Sequence, residues 1–372
     1  MKNFSDTINR KNSKDYWRGK KEIRPYGGIH LVLSEWIELA NAKHASDLHL
    51  SAGQIPWVRV QGKLQPLEHT VCTEEEIQAF LEEVLNSEEL ERSKRREEVD
   101  TSFQHASGAR VRVHAYYQRG LPSLAIRLLP QRIPLPQELN MPSVILEMAG
   151  QEQGLLLVTG PTGSGKSTTL ASLIHDLNQT KSLRIVTLED PIEYVHIPNR
   201  SMIEQRETGR DTASFARGIH TALRQDPDVI MIGELRDLES IQGAIRAAEA
   251  GRLVLATLHA GRAGTAVHRL VDVFPAEQQA LVRTQLASVL LGVISQRLYP
   301  RKESDTRIAA FEVLVNTHAV ANLIRSNQLH QIESLMQAGA RNGMQTMETA
   351  IGQLIAKGWI DPVRRFSGAV HG

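Results

Sequence analysis

One cysteine, Cys72, is all this chain of 372 residues has, so an internal disulfide framework and a Cys-rich metal site are both excluded. A single thiol fits a reducing, cytoplasmic setting. Long apolar runs are missing as well. Leu155-Leu156-Leu157-Val158 is typical of the longest, far below the roughly 18 residues of a membrane span. The first residues are polar and basic with no apolar h-region, which argues against a secretory signal. Net charge is nearly absent too: 43 basic and 42 acidic side chains leave +1, which argues against a dedicated nucleic-acid binder. The balance is uneven, because residues 1–25 hold eight basic and three acidic side chains. Such a stretch could touch anionic lipid or nucleic acid, but we expect residues 1–26 to be a solvated, disordered basic tail.

What remains is an ordinary globular composition, 41% hydrophobic and 23% charged, with length for about two domains. Residues 27–130 read as a small α+β domain. Leu33, Trp36, Ile37 and Ala40 fall at helical spacing, and Ala45–Leu50 alternates like a half-buried strand. Val58, Val60 and Leu64 around Gly62 predict a hairpin. Thr73 followed by Glu74-Glu75-Glu76 predicts a capping box opening a helix. Arg110–Tyr116 and Leu124–Leu128 predict two more strands. Pro130, Pro134, Pro136 and Pro142 punctuate a linker over 131–149.

From residue 150 onward the pattern changes. Four short apolar runs, Leu155–Thr159, Arg184–Leu188, Val229–Ile232 and Leu253–Thr257, alternate with amphipathic helical patterns. That predicts an α/β domain over 150–372, with a mostly parallel sheet covered on both faces. The C-terminal third (Gln278–Leu298, Ala319–Ile324 and Met344–Ala356) reads as helices. Ligands in such folds bind beyond the carboxyl ends of the strands, so the residues that end these runs are the candidates for chemistry.

Gly160-Pro161-Thr162-Gly163-Ser164-Gly165-Lys166-Ser167, followed by Thr168, fits G-x-x-x-x-G-K-[ST] between a predicted strand and a predicted helix. Glycines let backbone N–H groups curl around phosphate oxygens, and the helix start adds its positive end. Lys166 offers charge to the β/γ-phosphates and Ser167 a hydroxyl to Mg²⁺. The motif therefore predicts a nucleotide and its Mg²⁺ as ligands. Glu189-Asp190-Pro191-Ile192-Glu193 ends the second run, where a carboxylate can order a water. Glu234 follows the third run after Gly233 and is assigned to polarise the attacking water, with a water-mediated link to the metal. Arg236 and Asp237 beside it are expected to pair with each other. His259 ends the fourth run, where a histidine can sense a γ-phosphate.

These four boxes, in this order and spacing, resemble those of the secretion ATPases. Ala45–Gly53, Gly209-Arg210-Asp211-Thr212, Ile294–Leu298 and Gly343–Met347 narrow the resemblance to PilT-type type IV pilus retraction ATPases, over about residues 28 to 361. The resemblance implies a PAS-like N-terminal domain before a RecA-like P-loop ATPase domain. It also implies a homohexameric ring driving pilus retraction and twitching motility at the cytoplasmic face of the inner membrane. There it would work against a membrane platform protein, with only peripheral membrane contact and no stable nucleic-acid partner. It implies that the nucleotide is ATP, and it supports Lys166 and Ser167 on that nucleotide, Glu234 as catalytic glutamate, and Glu189 and His259 in the acidic and histidine boxes. It further implies that Arg112 and Arg127 bring charge to the nucleotide. The chain departs from the family pattern at His220, at Arg252 and along Ala319–Ser326. The alternatives are an assembly-type pilus or secretion ATPase, which typically carries a four-cysteine zinc site, a nucleotide-dependent regulatory module of low turnover, and a DNA-translocating motor, which the net charge of +1 weakens.

Overall fold

A computed structural model of the chain describes residues 30–362 apart from 131 and 305, so the expected basic tail over 1–26 lies outside the described residues. The chain divides into two compact units. One runs through Ser107 and resumes over Val111–Leu128; the other holds Gly108–Arg110 and everything from Leu129.

The first unit is built from α1 (His30–Ala42), β1 (Asp47–Ser51), β2 (Trp57–Val60), β3 (Lys63–Pro66), α2 (Glu74–Val84), α3 (Ser87–Lys94), β4 (Val99–Gln104), β5 (Arg110–Gln118) and β6 (Leu121–Leu128). Its six strands lie in the order β3-β2-β1-β6-β5-β4, with β1 antiparallel to both β2 and β6. Alternation sets which face is buried. Val111, Val113 and Ala115 of β5 and Leu124 and Ile126 of β6 point into one core, against Trp36 and Ile37 of α1 and Ile77 and Leu81 of α2. The capping box at α2 forms as its sequence predicts: Thr73 N–H donates to Glu76 Oε2 at 2.8 Å, and Glu76 N–H donates to Thr73 Oγ1 at 3.2 Å.

The second unit contains α4 (Ser143–Ala149), β7 (Gly154–Thr159), α5 (Lys166–Thr180), β8 (Arg184–Glu189), β9 (Met202–Glu207), α6 (Phe215–Ala222), β10 (Val229–Ile232), α7 (Leu238–Glu249), β11 (Leu253–Leu258), α8 (Ala263–Asp272), α9 (Ala276–Val289), β12 (Leu290–Pro300), β13 (Arg307–Val315), α10 (His318–Arg325), α11 (Ile332–Ala338) and α12 (Met347–Ala356). Its sheet order is β13-β12-β7-β11-β10-β8-β9. Every neighbouring pair from β12 to β9 is parallel, and β13 is antiparallel to β12. Two cores cover the two faces. Leu155 and Leu157 of β7 join one, and Leu156 and Val158 join the other. Burial on both sides explains why these strands read as unbroken apolar runs. Within 131–149, Ser143–Ala149 is helical and buries Ile145, Met148 and Ala149. Among the described residues, no helix is long and apolar enough to cross a membrane.

One sequence expectation fails here. Gln278–Leu298 is not a single helix: α9 ends at Val289 and the chain continues as β12. Up to that point burial follows one helical face, through Val282, Leu286 and Ala287. From Leu290 it becomes nearly continuous, because β12 lies between β7 and β13. The β-branched pair Val293-Ile294 favours that extended, two-sided burial. Its partner β13 also escaped the sequence reading.

Candidate active site

β7 ends at Thr159, and the next six residues form a loop that becomes α5 at Lys166. The backbone turn demands glycine at two places. A Cβ on Gly160 would lie 2.6 Å from Ser164 Oγ, and Gly165, the N-cap of α5, is left-handed with φ 87°. Pro161, Thr162, Gly163 and Ser167 are exposed, whereas Ser164 is buried and its hydroxyl has no hydrogen-bond partner. Lys166 Nζ donates to the carbonyls of Gly160 and Pro161 at 3.0 and 3.1 Å, which folds the side chain over its own loop. Burial pulls its pKa down from the ordinary lysine value, and the carboxylates of Glu234 and Glu193 oppose that shift. A glycine-bearing loop at a helix start, a confined ammonium and an orphaned hydroxyl suit a phosphate chain.

The neighbouring boxes are tied to this loop from below. Thr168 Oγ1 and Tyr194 OH share a hydrogen bond of 2.9 Å, and Thr169 Oγ1 donates to Gln296 Oε1 of β12 at 2.7 Å. Glu189, the last residue of β8, is almost completely buried. Thr187 Oγ1 and Gln205 Nε2 both donate to its Oε1, at 2.6 and 3.0 Å. Burial nevertheless pushes its carboxyl up to about 7, with the Glu193 charge adding to the rise. Gln205 also donates to Tyr194 O at 2.7 Å and accepts from His196 N–H at 2.8 Å. One side chain thus holds the acidic loop together.

Glu234 lies two residues beyond β10, and His259 one beyond β11. Their side chains meet, with His259 Nε2 3.0 Å from Glu234 Oε1. The other carboxylate oxygen, Oε2, takes 2.7 Å contacts from both Nε and Nη2 of Arg236. Arg236 therefore does not pair with Asp237 as expected. Its second neighbour is Asp190 at 3.9 Å, while Asp237 caps α7 by accepting from Ser240 N–H at 2.8 Å. Backbone bonds hold the two loops in register: Gly233 N–H to Leu188 O at 2.7 Å, and Leu235 N–H to Thr257 O at 2.9 Å. Because β7, β11, β10 and β8 are adjacent and parallel, Lys166, His259, Glu234 and Glu189 gather at one sheet edge. The arrangement can bind a polyanion and present a carboxylate–imidazole pair to it.

In the first unit, Arg112 and Arg127 face each other in the β5–β6 register. Each has a carboxylate partner there: Arg112 to Asp100 at 3.3 Å and Arg127 to Asp47 at 3.1 Å. Of the family departures, Arg252 reaches Asp226 at 3.5 Å. Sequence reasoning missed Tyr194, Gln205 and Arg236 as organisers of the site. Tyr194 ends the acidic box and Arg236 follows the glutamate, so position could have flagged them; Gln205 carries no sequence signal of its own.

Comparison with known proteins agrees with this geometry. The family model described as type II/IV secretion system protein matches residues 28–355. The type IV pilus retractation ATPase PilT of Pseudomonas aeruginosa is 42% identical over 333 residues, covering 88% of this chain and 95% of the relative. The uncharacterized protein YggR of Escherichia coli K12 is 44% identical over 329 residues, covering 88% and 99%. A crystal structure of the pilus retraction motor PilT with bound ADP superposes with a TM-score of 0.82 at 44% identity, covering 88% of this chain and 94% of that one. With its α/β ATPase-type fold and nearly full-length match, this chain belongs to the type II/IV secretion system protein family.

Proposed function

We propose that this chain is a Mg²⁺-dependent ATPase whose hydrolysis drives type IV pilus retraction. The observation that carries the reading is the Glu234–His259 pair, 3.0 Å apart, at the same sheet edge as a phosphate-binding loop whose lysine feels the Glu234 charge. The nucleotide's phosphates would take backbone N–H groups of Gly163–Thr168 and the ammonium of Lys166, which exchanges its loop carbonyls for them. Mg²⁺, when bound, neutralises charge on the phosphates; Ser167 would hold it, with Glu234 linked through water. Glu234 accepts a hydrogen bond from Arg236 and lies 3.0 Å from His259 Nε2, which fixes its carboxylate to polarise an attacking water and take its proton. Glu189, poised near neutrality, orders water beside it. His259 reads the γ-phosphate and conveys its presence to the β11–α8 loop. Arg112 and Arg127 supply positive charge to the transferring phosphoryl group once freed from Asp100 and Asp47.

The same reading takes residues 27–130 as a PAS-like domain, 131–149 as linker and 150–372 as a RecA-like domain with appended helices. The working form is a homohexamer on the cytoplasmic face of the inner membrane, engaging a pilus platform protein with only peripheral membrane contact. Glu234→Gln tests the chemistry. It is expected to bind ATP while losing about 10²–10⁴ in hydrolysis rate, the range for removal of a general base; undiminished turnover refutes the assignment. Counting surface pili tests the direction of work. Cells without the chain should carry more pili that no longer retract, and bald cells would instead make it an assembly motor.

A further inference from the structure

The segment between His259 and α8 is anchored at four successive points, and none of the anchors belongs to the nucleotide loop. Arg269, one helical stretch along α8, donates to the carbonyl of His259. Ser295 of β12, fully buried, donates its hydroxyl to Gly261 O at 3.0 Å. Arg262 reaches Glu333 of α11 at 2.7 Å and Glu348 of α12 at 3.4 Å. Ala263 N–H, the first of α8, donates to Glu312 Oε1 at 2.7 Å.

Glu312 is the unusual member. It sits on β13 and is only 5% exposed, and its second oxygen, Oε2, accepts from Met347 N–H, the first of α12, at 3.3 Å. One buried carboxylate therefore serves the positive ends of two helices at once. The N-cap residue of α8 is Arg262, whose side chain makes no capping bond, so Glu312 does the capping from another strand. An exposed ion pair contributes little alone, but Arg262 places its charge on the two helices that flank this shared carboxylate.

We propose that Glu312 and Arg262 are positioning residues for hydrolysis, fixing the start of α8 to α11 and α12 and so holding His259 against Glu234. The C-terminal helices then move with the histidine box rather than independently of it. A change at the Glu234–His259 pair is passed to α11 and α12 through Ala263 and Arg262. This inference rests on the hydrolytic reading of Glu234 and His259.

The test is steady-state ATPase kinetics of the full chain carrying Arg262→Ala, Glu312→Gln or Arg262→Glu, with nucleotide affinity read by a fluorescent ADP analogue. A displaced positioning group costs up to about 10²-fold, so kcat is expected to fall at least about tenfold in Glu312→Gln and in Arg262→Glu. KM for ATP and affinity for the ADP analogue should stay within about twofold, because Gly160–Thr168 is untouched. Arg262→Glu puts a fourth carboxylate beside Glu312, Glu333 and Glu348, and adding Glu333→Arg should restore most of its lost kcat. Arg262 is half exposed, so its variants report even where Glu312→Gln fails to fold. Wild-type kcat in the Arg262 variants, parallel loss of kcat and nucleotide affinity, or no recovery in the exchanged pair overturns the proposal. Glu234→Gln and His259→Ala run beside them separate the two ideas. Full turnover in those variants sinks the hydrolytic reading and this one with it, whereas loss there with wild-type kcat in the Arg262 variants sinks this one alone.

Discussion

Replacing Glu189 with glutamine should stabilise the protein, and should do so only above a definite pH. The carboxyl is pushed up to about 7 in the folded chain, chiefly by burial, against an ordinary value near 4.5. Between those two values the unfolded chain has released its proton while the folded chain retains it. Folding stability must therefore fall as pH rises through that window, and the full penalty applies above about 7. The interval corresponds to about 3 kcal/mol at about 1.4 kcal/mol for each tenfold change. Glutamine avoids the penalty without breaking the local geometry. Thr187 and Gln205 both donate to Oε1, which an amide oxygen can accept equally well, leaving the amide nitrogen to take the place of Oε2. Urea unfolding of both proteins at pH 5 and pH 8 reads the difference directly. At pH 5 the two should be within about 1 kcal/mol, and at pH 8 the variant should be more stable by about 3 kcal/mol. A stability difference that is the same at both pH values would refute burial of an ionisable Glu189. A destabilised variant at pH 8 would refute it equally. The expected gain is the mark of a residue kept for what it does rather than for stability.

Three further outcomes follow from the same structure, beside the hydrolysis loss already expected for Glu234→Gln. Lys166→Ala removes the only side-chain cation of the loop 160–168 and should abolish both ATP retention in equilibrium binding and turnover; a variant still cycling ATP would mean that the loop is not the site. Gly160→Ala forces a Cβ to within 2.6 Å of Ser164 Oγ at a φ of 149°, so about 1–3 kcal/mol of strain should appear as a lowered Tm, and an unchanged Tm would contradict that geometry. Cys72 is fully buried and its thiol is pushed up to about 12 by that burial, with Glu76 adding to the shift. It should resist a thiol reagent at pH 8 and react fully only once denaturant unfolds the first unit.

How much of this was legible in the sequence depended on whether the signal was local. The phosphate loop was readable because its requirements are local: glycine where a side chain would collide, lysine and serine at the helix start. The strands β7, β8, β10 and β11 were readable because burial on both faces leaves a short unbroken apolar run, and their order put the boxes at one edge. β12 was misread because Leu286, Ala287, Leu290, Val293 and Ile294 satisfy a helical spacing as well as a strand. What decides between them is the slot between β7 and β13, and β13 begins only after six further residues beyond the end of β12. Arg236 shows the same limit inside the site. Sequence proximity suggested Asp237, but that carboxylate is occupied in capping α7, and the guanidinium turns back to Glu234 and Asp190. Gln205 and Glu312 lie furthest beyond sequence reasoning. Gln205 meets Glu189 from 16 residues away, and Glu312 meets Ala263 from 49 residues away; neither stands in a recognisable motif. A motif records which groups meet the nucleotide. The groups that hold those in place can come from any strand that passes nearby, so their identity is a property of the folded sheet.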